Sequence, residues 1–224
     1  MKQLKILYKF TTRGRPNQFK ASYESILMCQ TNSVICVSID DDDLEMQEHL
    51  QKNKYDVFWF KGKSNNKIHA INRDLEKIEK FDWDIIICWS DDMVIFDLNF
   101  EQIVSNCFYE NETKNLDLFI HLPDGHRNKD LCTLSIMGRD YYNRFKYIYH
   151  PAYESVYCDN EATRVAKMLN CYRYFPIFAY EHRHPSNGYV FWDKQYEKNE
   201  SAEVYAKDEK TFLDRLKKNF EIYV

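Results

Sequence analysis

The sequence predicts an α/β fold, a mainly parallel central sheet flanked by helices, and three observations lead there. Apolar runs of strand length alternate with stretches of helical periodicity through the first hundred residues; the runs are continuously apolar; and each ends in a polar loop. Alternating strands and helices call for right-handed crossovers between parallel strands. A sheet covered by helices on both faces then needs apolar side chains on both sides of every strand.

Taken in order, residues 4–10 (LKILYKF) make a first strand, TTRGRPNQF a turn, and FKASYESILMC a helix. SVICVSI has the β-branched content of a buried second strand and runs into the acidic stretch 40–43, after which LEMQEHLQKN is helical. YDVFWFKG supplies a third strand, NNKIHAINRDLEKIEKF one helix opened by Asn, and DIIICWS a fourth strand. Beyond residue 100 the alternation weakens. FEQIVSNCFYE reads as a helix, LDLFIHLP as a strand, LCTLSIMGRDYYNRF as a strand passing into a helix, and DNEATRVAKML as a capped helix. RYFPIFAYEHRH reads as one late strand and EKTFLDRLKKNF as a C-terminal amphipathic helix. With no linker, repeat or low-complexity segment in sight, the second half is expected to complete the same domain.

Composition narrows the function. A chain of 224 residues that is 44% hydrophobic is long enough for one full core and too apolar for disorder. Lys plus Arg number 31 against 35 Asp plus Glu, a net charge of −4, so no global basic field points to nucleic acid. The seven cysteines show no C-x-x-C pair or zinc-ligand spacing and are expected to be reduced core residues of a cytoplasmic protein. Lysines interrupt the apolar N-terminus, which fits a strand better than a secretory signal, and no stretch approaches the roughly 20 apolar residues that span a bilayer. A soluble protein is expected.

Ligands of such sheets bind at the carboxyl ends of the strands, so the loops TTRGRP, DDDD, KGKSNN and SDD should gather at one edge. None is a G-x-G-x-x-G or G-x-x-x-x-G-K-[ST] phosphate loop. Asp91 and Asp92, hard oxygen donors ending an apolar strand, are suited to hold Mg²⁺ or Mn²⁺, an ion able to bridge phosphate oxygens in place of a glycine loop. The plainer alternative is a cap or a lysine pair. Asp42 and Asp43 suit the start of a helix, whereas Asp40 or Asp41, nearest the strand end, can accept from a base N–H or a ribose hydroxyl. Arg13 and Arg15 flank Gly14 in the first loop, where they are either solvated or available to phosphate or a base. His182 and His184 alternate after a late strand, so they should point to opposite faces, with one at most entering the site as a metal ligand. Asp159 and Glu161 open a helix; either is a cap-type acid or a general base for an acceptor hydroxyl.

In order and spacing, ILYKFTTRGRPNQFKASYESIL, VSIDDDD, NNKIHAINRDLE, DIIICWSDDMVI, DNEATRVAKML and EHRHP resemble the inverting nucleotide-sugar glycosyltransferases of the GT-A (Rossmann-like) fold, close to family 2, over most of residues 4–188. The resemblance implies one domain over 1–224, with a nucleotide-sugar-binding half (1–98), an acceptor and catalytic half (99–188) and a C-terminal tail with a helix (189–224). It implies that Thr11, Arg13 and Arg15 line the nucleotide pocket, that Asp40 or Asp41 contacts the base, and that Lys67 and Asn72 lie near the donor. Asp91 and Asp92 stand where the family's D-x-D carboxylates bind the metal and donor diphosphate. Asp159 or Glu161 falls at the base position, with Asp159 favoured, and His184 or His182 at a late metal ligand. The sequence departs from the pattern in reading SDDM for D-x-D and DNE for Glu-Asp.

The expected activity is hexosyltransferase-like: sugar transfer from a nucleotide-diphosphate sugar to an acceptor hydroxyl with inversion, using Mn²⁺ or Mg²⁺. The acceptor is open among a glycan, a protein and a modified nucleic-acid base; loops 122–131 and 146–158 carry aromatic and polar residues suited to stacking on sugars or bases. The alternatives are a nucleotidyltransferase acting on a sugar phosphate, disfavoured by the glycine-poor first loop, and a noncatalytic nucleotide- or sugar-binding protein.

Overall fold

The computed structural model describes residues 3–110, 115–127 and 129–222. Asn128 of the polar loop 122–131 lies outside them. The first half follows the expected alternation: β1 (Ile6–Thr11), α1 (Pro16–Cys29), β2 (Ser33–Asp40), α2 (Leu44–Asn53), β3 (Phe58–Gly62), α3 (Lys67–Asn72), α4 (Leu75–Ile78) and β4 (Ile85–Ser90). There follow β5 (Met93–Ile95), α5 (Phe100–Tyr109), β6 (Phe119–His121), β7 (Ile136–Gly138), α6 (Arg139–Asn143), α7 (Cys158–Met168), β8 (Tyr172–Tyr174), β9 (Tyr180–His182), α8 (Lys194–Asn199) and α9 (Ala202–Lys217).

Seven strands form one sheet in the order β3-β2-β1-β4-β7-β6-β8. The first four are parallel, β7 is antiparallel to both its neighbours, and β6 and β8 pair in parallel. Strands from the second half thus extend the sheet begun by the first. The period-2 pleat explains the continuous apolar runs. Ile6, Tyr8 and Phe10 of β1 and Ile85, Ile87 and Trp89 of β4 pack on one side with α1 and α5; Leu7, Ile86 and Cys88 pack on the other with Ile68 and Ile71 of α3 and with α7. All seven cysteines are buried and unbridged. Among the described residues no helix is long and apolar enough to cross a membrane.

Two expectations are corrected. Residues 65–81 are not one helix: the chain breaks at Arg73–Asp74, where both side chains turn inward, and the fully buried Asp74 carboxylate accepts from Ser38 Oγ at 2.6 Å. RYFPIFAYEHRH is two strands in two sheets. Pro176 has no N–H to give a ladder, and the chain crosses from β8 in the main sheet to β9, which pairs antiparallel with β5. That small β5–β9 sheet was not anticipated, and its register sets Met93 opposite His182, next to the aspartate pair.

Candidate active-site cleft

β1 lies between β2 and β4, so the chain leaves the sheet in opposite directions on its two sides and opens a crevice at the carboxyl edge. A cleft of about 780 Å³ occupies it, lined by the ends of β1, β2 and β4, the loop before α3, the start of α7, the stretch after β9, and α8. The size is that of a small-molecule or cofactor site.

The first loop is built by its charges. Gly14 sits at φ +62°, a left-handed conformation that glycine adopts without steric cost, and its N–H donates to Asp43 Oδ2 at 2.7 Å. Asp43 also caps α2, accepting from Met46 N, as expected of the acidic run. Pro16 occupies the first turn of α1, where its missing N–H costs nothing. Arg13 donates to Asp40 at 2.5 Å and to both oxygens of Asp42, at 2.7 and 2.8 Å. Arg73, which sequence reasoning passed over, donates to the other oxygen of Asp40 at 3.2 Å and to Ser64 Oγ at 2.7 Å. Asp40 is thus clamped by two guanidinium groups at the strand end, while Asp41 beside it is exposed to the cleft. The hydroxyl of Thr11, a residue of the cleft wall, is buried without a hydrogen-bond partner among the described residues.

The two strand-end aspartates differ in their surroundings. Asp91 faces α1: Oδ2 accepts from Thr12 Oγ1 at 2.6 Å and Oδ1 from Arg15 Nη1 at 3.1 Å. Burial pushes its carboxyl up to about 6 against the pull of Arg15. Arg15 also donates to both oxygens of Asp193 at 2.8 and 2.7 Å and stacks 3.7 Å from the centre of the Tyr196 ring. Asp92 faces β9, with Oδ2 3.3 Å from His182 Nε2 and 3.1 Å from the Tyr196 hydroxyl, and its other oxygen accepts from Ser90 Oγ. Burial works against its charge, yet His182, Ser90 and Lys67 hold it well below the usual carboxylate range. On the far side of His182, Nδ1 lies 3.9 Å from Oδ2 of the buried Asp124. Desolvation opposes a charge on His182, but the carboxylates on either side raise its pKa to about 9.

The remaining predicted residues divide between the cleft and the core. His182 and His184 both line the cleft, contrary to the expectation of opposite faces, because β9 ends at His182 and the chain turns at once into a short 3₁₀ segment. His184 has both nitrogens engaged, Nδ1 accepting from Ser186 N and Nε2 lying 2.6 Å from Glu200 Oε1. Asp159, in the first turn of α7, lines the cleft, and burial raises its pKa. Glu161 is 3% exposed and outside the cleft, accepting from Tyr153 Oη and from Arg215 at 2.8 and 2.9 Å. Lys67 opens α3 at the cleft wall; desolvation lowers its pKa, but Cys158, Asp92, Glu200 and Asp159 outweigh that and raise it. Asn72 is turned away, tying α3 to Tyr149 O and Ile148 N at 2.7 and 3.0 Å. The segment from 189 onward supplies Gln195, Tyr196, Lys198, Asn199, Glu200 and Tyr205 to the cleft, which was not foreseen. Its one sequence signal was Asp193 ahead of KQYEKN, and that aspartate does cap α8.

A divalent ion, implied by the resemblance, can be tested against these donors. Two neighbouring ligands of an octahedral ion held at about 2.1 Å stand about 3 Å apart. Asp92 Oδ2 and His182 Nε2, at 3.3 Å, have that spacing; an ion bound there would displace the proton that the flanking carboxylates favour on His182, and Asp124 stands behind Nδ1 at 3.9 Å. No third His, Cys, Asp or Glu joins them in a ligand cluster among the described residues. The donor set fits an ion that takes its other ligands from substrate phosphate and water, as Mg²⁺ and Mn²⁺ do.

No protein-family profile matches this chain, and no curated protein sequence does. Solved structures do. The mannosyltransferase PcManGT from Pyrobaculum calidifontis, in complex with GDP-Man and Mn²⁺, is 11% identical with a TM-score of 0.56, over 80% of this chain and 56% of its own. S. aureus TarS 1-349 in complex with UDP-GlcNAc is 16% identical with a TM-score of 0.56, over 95% of this chain and 72% of its own. A cytidylyltransferase from Leptospira borgpetersenii serovar Hardjo-bovis (strain JB197) is 16% identical with a TM-score of 0.51, over the whole of both chains. The chain spans 56% of the PcManGT chain and 60% of TarS 1-349 in another of its structures. At these identities the likeness is one of fold: a mostly parallel, Rossmann-like sheet of the GT-A kind.

Proposed function

We propose that this protein transfers a sugar from a nucleotide-diphosphate sugar to an acceptor hydroxyl, with inversion and with a divalent cation. The observation that carries the reading is that one cleft holds a strand-end carboxylate and imidazole spaced as metal ligands, Asp92 and His182, together with a half-buried carboxylate, Asp159, whose one hydrogen bond shown among the described residues is from the backbone N–H of Asn160.

Asp92 and His182 would hold Mn²⁺ or Mg²⁺, which when bound offsets charge on a departing diphosphate. Asp40 and Asp41 face the nucleoside, with Arg13 and Arg73 fixing the Asp40 carboxylate so that its remaining lone pairs point to one place. The Thr11 hydroxyl and the Lys67 ammonium serve the donor, and Asp91 acts indirectly by holding Arg15. Asp159 takes the proton of the acceptor hydroxyl as that oxygen bonds to the anomeric carbon and the bond from that carbon to the diphosphate breaks. Burial raises the pKa of Asp159, which makes its carboxylate a stronger base than an exposed aspartate.

The nucleotidyltransferase reading has one specific observation in its favour, the match over the full length of a cytidylyltransferase. Against it, the loop after β1 spends its arginines on Asp40, Asp42, Asp91 and Asp193 and presents no glycine-rich cradle for a triphosphate. The deciding assay incubates the protein with Mn²⁺ and a panel of nucleotide sugars, GDP-mannose and UDP-N-acetylglucosamine included. Release of nucleoside diphosphate that vanishes in Asp92→Ala supports sugar transfer. Incorporation of a nucleoside monophosphate into a sugar phosphate would replace it with the second reading, and binding without turnover would leave a binding protein.

A further inference from the structure

The C-terminal amphipathic helix has no part in the chemistry above, yet it makes unusually specific contacts with the segment that carries Asp159. Asp208, in the middle of α9, is fully buried. Its carboxylate accepts from three consecutive backbone amides: Glu154 N at 3.0 Å, Ser155 N at 2.8 Å and Val156 N at 2.9 Å. One turn on, Phe212 packs on the ring of Tyr157, centroids 5.6 Å apart, and at the next turn Arg215 binds Glu161 through two parallel hydrogen bonds. Tyr205 completes the row, with its ring 6.4 Å from that of Tyr157. Residues 205, 208, 212 and 215 recur at the spacing of one helix face. That face meets residues 154, 155, 156, 157 and 161, and Asp159 lies inside the span it grips.

The segment needs such a grip. Tyr157 sits at φ +60°, a left-handed conformation that a bulky residue does not adopt unaided, and it is the residue from which α7 starts. Among the described residues no other carboxylate receives the amides of 154–156, and three N–H groups pointing inward without an acceptor would each carry a desolvation cost. The same stretch is also tied to the donor side of the cleft, because Ile68 N, beside Lys67, donates to Glu154 O at 3.2 Å.

We propose that Asp208 is a positioning residue for Asp159, acting through the amides of 154–156, and that Arg215 completes the brace through Glu161. This rests on the reading of Asp159 as the general base. In Asp208→Asn the side chain keeps its shape, but its NH₂ group opposes an inward N–H, so the segment loosens while the sheet and the Asp92–His182 pair stay in place. A displacement on the order of 1 Å at a reacting group costs up to about 10²-fold in rate.

Two readouts are taken on full-length wild type, Asp208→Asn, and Arg215→Lys as a milder change. Amide hydrogen exchange across 154–161 should accelerate roughly tenfold or more in Asp208→Asn and less in Arg215→Lys, with β1 and β4 unchanged. Where the wild type turns over a donor, kcat should fall about 10- to 10²-fold in Asp208→Asn. The dissociation constants for Mn²⁺ with GDP or UDP should change less than about twofold, and the same substitution added to Asp159→Asn should cost little more. Unchanged exchange at 154–161, an equal fall in binding and kcat, or full additivity with Asp159→Asn overturns the proposal. Absence of turnover in the wild type with every donor sinks the functional reading instead, and the exchange data alone then decide whether Asp208 holds the segment.

Discussion

Asp91 and Asp92 are adjacent and chemically identical, yet their replacement should have opposite consequences. Asp92→Asn removes a negative charge from the pair that faces His182 across 3.3 Å. A unit charge pair about 4 Å apart at an effective dielectric near 20 is worth about 4 kcal/mol, a divalent ion doubles it, and a replacing water returns much of it. A net loss of ~3 kcal/mol corresponds to about 10²-fold weaker Mn²⁺ binding. Asp91→Asn touches no candidate ligand. It deprives Thr12 and Arg15 of a charged acceptor, and because Arg15 keeps both bonds to Asp193 the expected cost is stability, about 1–3 kcal/mol, with Mn²⁺ affinity within a few-fold of wild type. Free Mn²⁺, read by its electron paramagnetic resonance signal in titrations with GDP or UDP, measures the first effect; urea unfolding measures the second. Equal losses of Mn²⁺ affinity in both variants, or none in Asp92→Asn, would refute the division of labour.

Three further outcomes are expected. Asp159→Asn should lower transfer about 10²- to 10⁴-fold while leaving the melting temperature near wild type, whereas Glu161→Gln, which strips the carboxylate from Arg215, should cost about 3 kcal/mol in denaturant titrations. Arg15→Lys gives up the two-pronged contact with Asp193 and the stacking on Tyr196, so residues 189–200 should become more sensitive to limited proteolysis. Burial holds His121 at about 4, below the ordinary 6.5, so between those values the unfolded chain binds the extra proton. Stability should therefore fall by up to ~3 kcal/mol as pH drops from 6.5 toward 4, and His121→Gln should lose that part of the slope in urea titrations at successive pH values.

How much of this was legible in the sequence follows from how far each feature depends on distant partners. β1 to β4 and the loops after them are local in origin: an apolar run, a break and a helix are read within twenty residues, and all four strands stand where the pattern puts them. The pairing of the site is not local. Asp91 finds Thr12 across 79 positions, and Arg15 finds Asp193 across 178, so nothing near either residue announced that Asp91 serves Arg15 or that the chain beyond 189 returns to the cleft. Asp124 was hidden for the same reason, in a loop noticed only for its aromatic and polar neighbours. The histidine pair was misjudged because strict alternation holds only within a strand, and β9 stops at His182. The choice between Asp159 and Glu161, by contrast, was within reach of helix geometry. Two residues on a helix separate their side chains by about 200°, so once the cleft claims one face the other residue must turn to the core. An analogous separation divides the aspartates at the end of β4, where successive side chains leave the chain on different sides. One meets α1 and Arg15 and the other meets β9 and His182. The short run of charge after an apolar strand is therefore two devices: a structural anchor for the arginine that holds α8 down, and a carboxylate turned to the histidine at the cleft wall.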